Sequence, residues 1–396
     1  MIDQTFFNQP VKRRGTGCVK WDAMPADDVI PMWVADMDFA VAPAIQKAIK
    51  DRAAHPVFGY TLVPDSYYES VIQWFKRRHG WTIERDWILY TTGVVPAASA
   101  TIKALTLPGE KVLVQTPAYN CFFSSIRNQG CEILETRLLR EGDRFKMDFD
   151  DFERKCADEN FAAKAADPAV KLVIWCNPHN PTGRVWTREE LERMNEICLR
   201  HHVVVVSDEI HNELVMPGYS YTPFASVSEA CLDNSITLTS PSKSFNIAGL
   251  QMANIVTKNA EWRRRIERVV NIFEICDVNP FAPVAIQAAY NESEDWIDAL
   301  NLYIHDNFEV LRSFCREHLP KWQVMHSEGT YLAWVDISQT GLSAESLAQE
   351  IMERAHVKVN SGTLYGSISG EGYLRINLAC PRPLLEEALR RIGEHF

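Results

Sequence analysis

The chain predicts an α/β fold: a large domain with a mostly parallel, seven-stranded sheet, then a smaller α+β domain. Near-continuous apolar runs such as VKLVIWCN (170–177) and VVVVSDEIH (203–211) suit strands covered on both faces. From Trp87 onward such runs alternate with helical patterns, as they do where helices cross over between parallel strands. Beyond about residue 318 the texture changes to short strands, WQVMHS, YLAWVDI, VKVN and YLRINLAC, mixed with helices over 343–356 and 383–396. The expected division is an N-terminal arm over 1–42 packing on the core, a large domain over 43–289 and a small C-terminal domain over 290–396.

Composition excludes several classes. The 396 residues are 46% hydrophobic and 23% charged, as in globular proteins, and suit roughly two to three domains. A net charge of −11 argues against a general nucleic-acid binder. The start, MIDQTFFNQPVKRR, lacks the apolar core of a signal peptide, and no run reaches the ~18 apolar residues of a membrane span, so a cytoplasmic protein is expected. The 10 cysteines form no CxxC pair, and several, such as Cys176, lie in apolar runs. That pattern suits reduced core thiols better than a disulfide frame or a metal site.

Taken in order, the arm has no sustained period, yet Trp33, Met37 and Phe39 must pack on something, and Trp33 to Asp36 is a candidate border of a binding site. Helices are predicted over 44–54 and 65–79, the second closed by Gly80. Between them FGYTLVP carries Tyr60 on a loop. WILYTTG is the first strand of the sheet. It ends in Gly93, and Pro96 is expected to open the next helix, so that the amides of Gly93, Val94 and Val95 face any anion there. KVLVQTP (111–117) is followed by a helix expected to contain Tyr119, and CEILETRL is a third strand. The run 148–156 is read as helical. The strand 170–177 ends in the turn NPHNPTGR, whose Asn177 and Asn180 could cap the turn or touch a ligand. TREELERMNEICLRHH is then an amphipathic helix with Thr187 as N-cap and Glu190 completing a capping box.

Three positions stand out. Asp208 follows four valines, and a carboxylate there needs a cation or hydrogen bonds to be buried. Lys243 lies just beyond the strand SITLTS, in the turn SPSKSFNIAG, at the sheet edge where open α/β sheets bind ligands. Arg375 sits within YLRINLAC, a strand otherwise built for burial, where it either pairs with an acid or binds a carboxylate with its planar fork.

Together, Gly93, Tyr119, NPHNPTG, Asp208, SPSK and Arg375 resemble the class I/II aminotransferases of fold type I, which depend on pyridoxal 5′-phosphate (PLP). More narrowly, PMWVADMDF, FGY, TTGVVPA, NPHNPTGR, DEIH, PSKSFNIAGLQ and NLACPR resemble the MalY/PatB-like cystathionine β-lyase (C–S lyase) branch. The resemblance implies that Lys243 is the catalytic residue and carries PLP as a Schiff base, and that Asp208 pairs with the pyridinium nitrogen. It implies stacking by Tyr119 and a hydrogen bond from Asn180, with Asn177 a further candidate. Gly93, Val94, Val95, Ser240 and Ser242 would hold the phosphate. Arg375 would bind the substrate carboxylate, with Trp33 and Tyr119 lining the substrate's place and Tyr60 reaching the neighbouring site of a homodimer. His211 stands where many aminotransferases have tyrosine, and Gln251 where many have arginine. Both replacements resemble the lyase branch. The implied activity is β-elimination on L-cystathionine or related cysteine S-conjugates, giving a thiol, pyruvate and ammonia. An aminotransferase is the alternative, and a non-catalytic binding protein on the same fold is a third reading.

Overall fold

In the computed structural model, which describes residues 2, 4–157, 170–272, 274–275 and 277–396, the arm contributes β1 (Ile30–Pro31). The next strands are β2 (Ile88–Thr91), β3 (Lys111–Thr116) and β4 (Glu132–Arg137). A hairpin, β5 (Leu139–Glu141) and β6 (Arg144–Lys146), follows, and then β7 (Val170–Cys176), β8 (Val204–Asp208), β9 (Ser235–Thr239) and β10 (Ala253–Val256). The last strands are β11 (Gln323–Val324), β12 (Leu332–Asp336), β13 (Val357–Lys358), β14 (Asn360–Ser361) and β15 (Tyr373–Asn377).

The seven-stranded sheet has the order β2-β10-β9-β8-β7-β3-β4. β10 is antiparallel to both its neighbours and the other pairs are parallel, so six strands bring their carboxyl ends to one edge. That edge receives Gly93, Tyr119, the 177–184 turn, Asp208 and the Lys243 turn. Alternation along β7 shows why its sequence is continuously apolar. Leu172, Ile174 and Cys176 pack into the core beneath the helices Val94–Leu105, Asn120–Asn128 and Ala260–Ile272. Val173 and Trp175 pack into the opposite core, beneath Phe149–Cys156 and Arg188–Arg200.

A second sheet, β11-β12-β15-β14, is antiparallel throughout. The helix Ala282–Glu292 packs on both Pro43–Ala54 and Asp65–His79, and the expected boundary at residue 289 falls inside it. One hydrophobic core runs from the arm through these helices to the second sheet and the C-terminal helix Arg382–Gly393.

Several local expectations shift. The helix expected to open at Pro96 starts at Val94, where proline at the third position still falls among amides that lack an intrahelical partner. Tyr119 is the N-cap of Asn120–Asn128, outside the helix expected to contain it. The β5–β6 hairpin lies in a stretch for which no strand is expected, because its strands are only three residues long and largely exposed, too short for an alternation to register. The capping box of Thr187 and Glu190 is present as expected. Cys276 lies outside the described residues.

The arm is braced internally by charge: Arg13, Lys20, Trp21 and Asp38, which meet in one cluster, all belong to it. β1 runs parallel to β13, and the Asp38 carboxylate, 3% exposed, accepts bonds of 2.7 Å from Arg13, Lys20 and the Trp21 indole. Lys20 is itself 1% exposed, so removing Asp38 strands a buried ammonium. Asp38→Ala is therefore expected to lower stability by about 3–5 kcal/mol, whereas Lys47→Ala, which breaks the exposed pair with Asp51, leaves it unchanged. Urea unfolding of the two variants beside the parent chain measures both, and equal midpoints for parent and Asp38→Ala would refute the assignment.

Candidate active site

At the carboxyl edge of the large sheet, a cavity of about 190 Å³ is lined by Gly93, Val94, Val95, Tyr119, Asn180, Asp208, His211, Ser242 and Lys243. Ala35, Pro96, Cys176, Ile210 and Ala248 complete its wall. These residues come from six separate chain segments, and each segment is fixed by its own local structure.

The Lys243 turn is anchored from below. Phe245 is fully buried against Trp74 and Trp296, with ring centroids 5.9 Å away in each case. Ser240 Oγ donates to the Met252 carbonyl at 2.7 Å and accepts from the Ser242 amide at 3.1 Å. Asn246, at φ 56, ties the turn to the arm by donating to the Met37 and Phe39 carbonyls. Held in this way, the Lys243 Nζ donates to the Ala35 carbonyl at 2.7 Å. Burial disfavours its ammonium form and lowers its pKa, against the opposing pull of Asp36.

Asp208 ends β8 with 4% of its surface exposed, and its Oδ1 accepts from the Ile210 amide at 3.1 Å. Burial pushes its pKa up to about 7, and the neighbouring Glu209 adds to the rise. Glu209 points the other way, accepting from Ser207, Tyr221 and the Phe224 amide, and burial raises it to about 7 as well. His211, one turn further, is buried and its Nδ1 has no hydrogen-bond partner. Burial, with Lys243 and Arg375 nearby, holds its pKa down at about 3, so the ring is neutral at pH 7.

The turn 177–184 needs Gly183. Its φ is 73°, and a Cβ there would lie 2.5 Å from Ser327 Oγ. Within this turn the two asparagines divide. Asn177 does not line the cavity: its Nδ2 donates to the Thr222 carbonyl and its Oδ1 accepts from the Trp186 amide, so both ends are spent on the fold. Asn180 lines the cavity, and its Oδ1 accepts from Arg375 at 3.3 Å.

Arg375 is 4% exposed and finds no carboxylate partner among the described residues. It donates to the Trp33 carbonyl at 2.8 Å and lies 4.6 Å over the Tyr365 ring, while its Nε is buried without a partner. No described acid occupies its fork, and a fork with a spare N–H suits an incoming carboxylate.

Four further expected residues sit outside the cavity wall, Arg375 among them, which meets the wall by donating to Asn180. Ser240 is turned inward, as described above. The Trp33 indole donates to the Lys20 carbonyl, so this residue meets the site through its backbone oxygen. Tyr60 is 97% exposed on its loop and touches nothing in this cavity. Gln251 adopts φ 53 and stays exposed. Sequence reasoning did not single out Tyr331, whose hydroxyl donates to the Ala35 carbonyl, or Tyr365. An aromatic residue in or beside an apolar strand carries no sign that its polar end faces a site.

The cavity fits PLP by its donor set. The first amides of the helix Val94–Leu105, with Ser242, can take a phosphate, and the Tyr119 ring can cover an aromatic face. Asp208, costly to ionise alone, matches a protonated pyridine nitrogen, and the His211 ring can donate to a ring oxygen. A larger cleft of about 620 Å³ near Arg78 carries charges already paired with one another, Arg78 with Glu213, Glu294 and Asp298.

Comparison with known proteins agrees with this chemistry. The model of the family "Aminotransferase class I and II" matches residues 27–392. Cystathionine beta-lyase PatB of Bacillus subtilis is 40% identical, covering 98% of each chain. Protein MalY of Escherichia coli is 33% identical over 97% of this chain and 96% of its own. The crystal structure of cystalysin from Treponema denticola, which contains PLP, superposes with a TM-score of 0.94 at 34% identity, covering 100% of this chain and 98% of that one.

Asp208 and Glu209 also make stability depend on pH. Between about pH 4 and about pH 7 the folded, cofactor-free chain holds protons on these carboxyls that the unfolded chain has already released. Stability therefore falls as pH rises through that window. Asp208→Asn should flatten the fall, read as the change in urea midpoint from about pH 5 to about pH 7 in cofactor-free protein; an unaltered slope would contradict the burial argument.

Proposed function

This chain belongs to the class I and II aminotransferase family, and we propose that within it the chain acts as a PLP-dependent carbon–sulfur β-lyase. Its substrates are L-cystathionine or related cysteine S-conjugates, and its products a thiol, pyruvate and ammonia. The carrying observation is that Lys243, Asp208 and His211 converge on one cavity. The lyase branch is favoured by His211 and Gln251 and by full-length similarity to proteins named as cystathionine β-lyases.

When bound, PLP supplies an electron sink that acidifies the Cα proton of an amino acid and allows a β-sulfur to leave. The chain supplies the rest. Gly93, Val94 and Val95, with Ser242, hold the phosphate through backbone amides and a hydroxyl, and Ser240 supports them at one remove by fixing the Ser242 amide. Asp208 would pair with the protonated ring nitrogen, Tyr119 would stack on the ring, and Asn180 and His211 would serve the ring oxygen. Arg375, positioned by Trp33, Asn180 and Tyr365, binds the substrate carboxylate and so aims the Cα–H bond. Lys243 accepts that proton at Nζ, and its lowered pKa favours the neutral amine that a base must be. The large sheet would carry most of the cofactor's contacts and the small one carries Arg375, which supports reading the chain as an arm and two domains.

The proposal includes a homodimer in which Tyr60 reaches the neighbouring site. Val57, Phe58, Tyr60 and Leu62 are 56–97% exposed on one loop, an apolar surface that a second copy would cover. It also includes a cytoplasmic setting, in keeping with nine free cysteines among the described residues. No helix of the described residues is long and apolar enough to cross a membrane.

Purified protein is expected to show a visible absorption band that borohydride abolishes, and to release thiol and pyruvate together from L-cystathionine without added 2-oxo acid. Lys243→Ala should lower that rate by about a thousandfold or more. Conversion of the band to the pyridoxamine form with no pyruvate would instead identify an aminotransferase. The shared site has its own test. Separately inactive Tyr60→Ala and Lys243→Ala chains, unfolded and refolded together, should recover up to about a quarter of parental activity in mixed dimers. No recovery, with mixed dimers present, would remove Tyr60 from the neighbouring site.

A further inference from the structure

Thr330 adopts φ 68, a left-handed conformation unfavourable for a β-branched residue. Two bonds hold it there: its amide donates to the Leu214 carbonyl at 2.7 Å, and its Oγ1 accepts from the Leu332 amide at 3.2 Å. Strain maintained in this way sets the direction of the next side chain. Tyr331, fully buried at the start of β12, sends its hydroxyl 3.0 Å from the Ala35 carbonyl, the same oxygen that accepts from Lys243 Nζ at 2.7 Å. The flanking carbonyls of the arm are held by other side chains: Trp33 by Arg375 and Asn360, Val34 by Asn377, and Asp36 by Asn377 and Lys20. Tyr331 is the donor that shares its acceptor with the reactive amine. Burial raises its phenol above the ordinary value, so it stays protonated and remains a donor.

We propose that Tyr331 is a positioning residue for Lys243, its hydroxyl fixing the Ala35 carbonyl as the oxygen that holds the lysine head group during proton transfer. This rests on the reading of Lys243 as the base. In that step the Cα–H bond breaks and an Nζ–H bond forms, while the electron pair passes to the bound cofactor. The ammonium so produced needs an oriented acceptor in a site with little water, and the Ala35 carbonyl is 2.7 Å from Nζ. Without the phenolic hydroxyl this carbonyl loses its second partner and the amine its fixed direction. A purely structural Tyr331 would affect stability alone.

The test isolates the proton step with L-alanine, which has a Cα proton and no β-leaving group. Holoenzyme is incubated with L-alanine in D₂O and exchange of the Cα proton is followed by ¹H NMR. Tyr331→Phe is expected to exchange about tenfold more slowly, with its cofactor band and its spectral Kd for L-alanine within about twofold of the parent. Exchange at the parental rate, even with a lower Tm, overturns the proposal. If Tyr331→Phe does not retain the cofactor, Thr330→Val is read instead. It removes the Oγ1 bond that holds the turn and keeps the phenol, and it should slow exchange in the same way, while a parental rate overturns the proposal. A parent that does not exchange, or a Lys243→Ala chain that exchanges as fast as the parent, removes the lysine reading and this proposal with it. Exchange that depends on Lys243 and ignores Tyr331 removes the positioning role alone.

Discussion

A carboxylate buried at the end of a valine strand is the constraint around which the site is organised. Asp208 sits where β8 leaves the core, 4% exposed, and a charge in that place is costly unless something cationic meets it. The parallel sheet makes the meeting possible, because it delivers Gly93, Tyr119, Asn180 and the Lys243 turn to the same edge. In the proposed reading a protonated pyridine ring would answer the carboxylate, and the cofactor's other groups would fall to the residues around it. The site is therefore an electrostatic deficit that the fold creates and the ligand fills.

A second layer of control comes from the arm. Its residues pair with β13 and with the second sheet, and the Asp38 cluster braces the arm from within. Between those anchors runs a short length of backbone touched by the Lys243 amine at one carbonyl and by the Arg375 guanidinium at another. The groups proposed to bind the carboxylate and to move the proton are thus positioned against the same piece of chain. This arrangement suits a reaction in which the Cα–H bond must be held in one orientation.

Much of this was legible from residues that break their local pattern. Asp208 after four valines and Arg375 in an apolar strand are anomalies that cost free energy unless something compensates them, and among the described residues neither has a counter-charge within hydrogen-bond reach. The order of strands and helices followed from apolar runs and caps, as the Thr187 capping box shows. Polar residues in turns were harder to read. Asn177 and Ser240 have the chemistry of ligand contacts, yet their hydrogen bonds go to Thr222, Trp186, Met252 and Ser242, a choice set by three-dimensional neighbours that sequence does not list. With Trp33 the strip of chain was identified, but the working atom is a carbonyl that every residue type possesses. Tyr331 went unnoticed because its ring belongs to the core and only its oxygen belongs to the site.

The carbonyl contacts over residues 33–36 bear on how this segment can change. Because the donors grip backbone oxygens, the local instructions lie in the register of the chain more than in its side chains. Exchanging Val34 or Ala35 for another residue of similar size leaves the same row of acceptors in place. Inserting or deleting a single residue slides the row, handing Lys243 and Arg375 each the wrong oxygen. The segment is thus tolerant in spelling and intolerant in length.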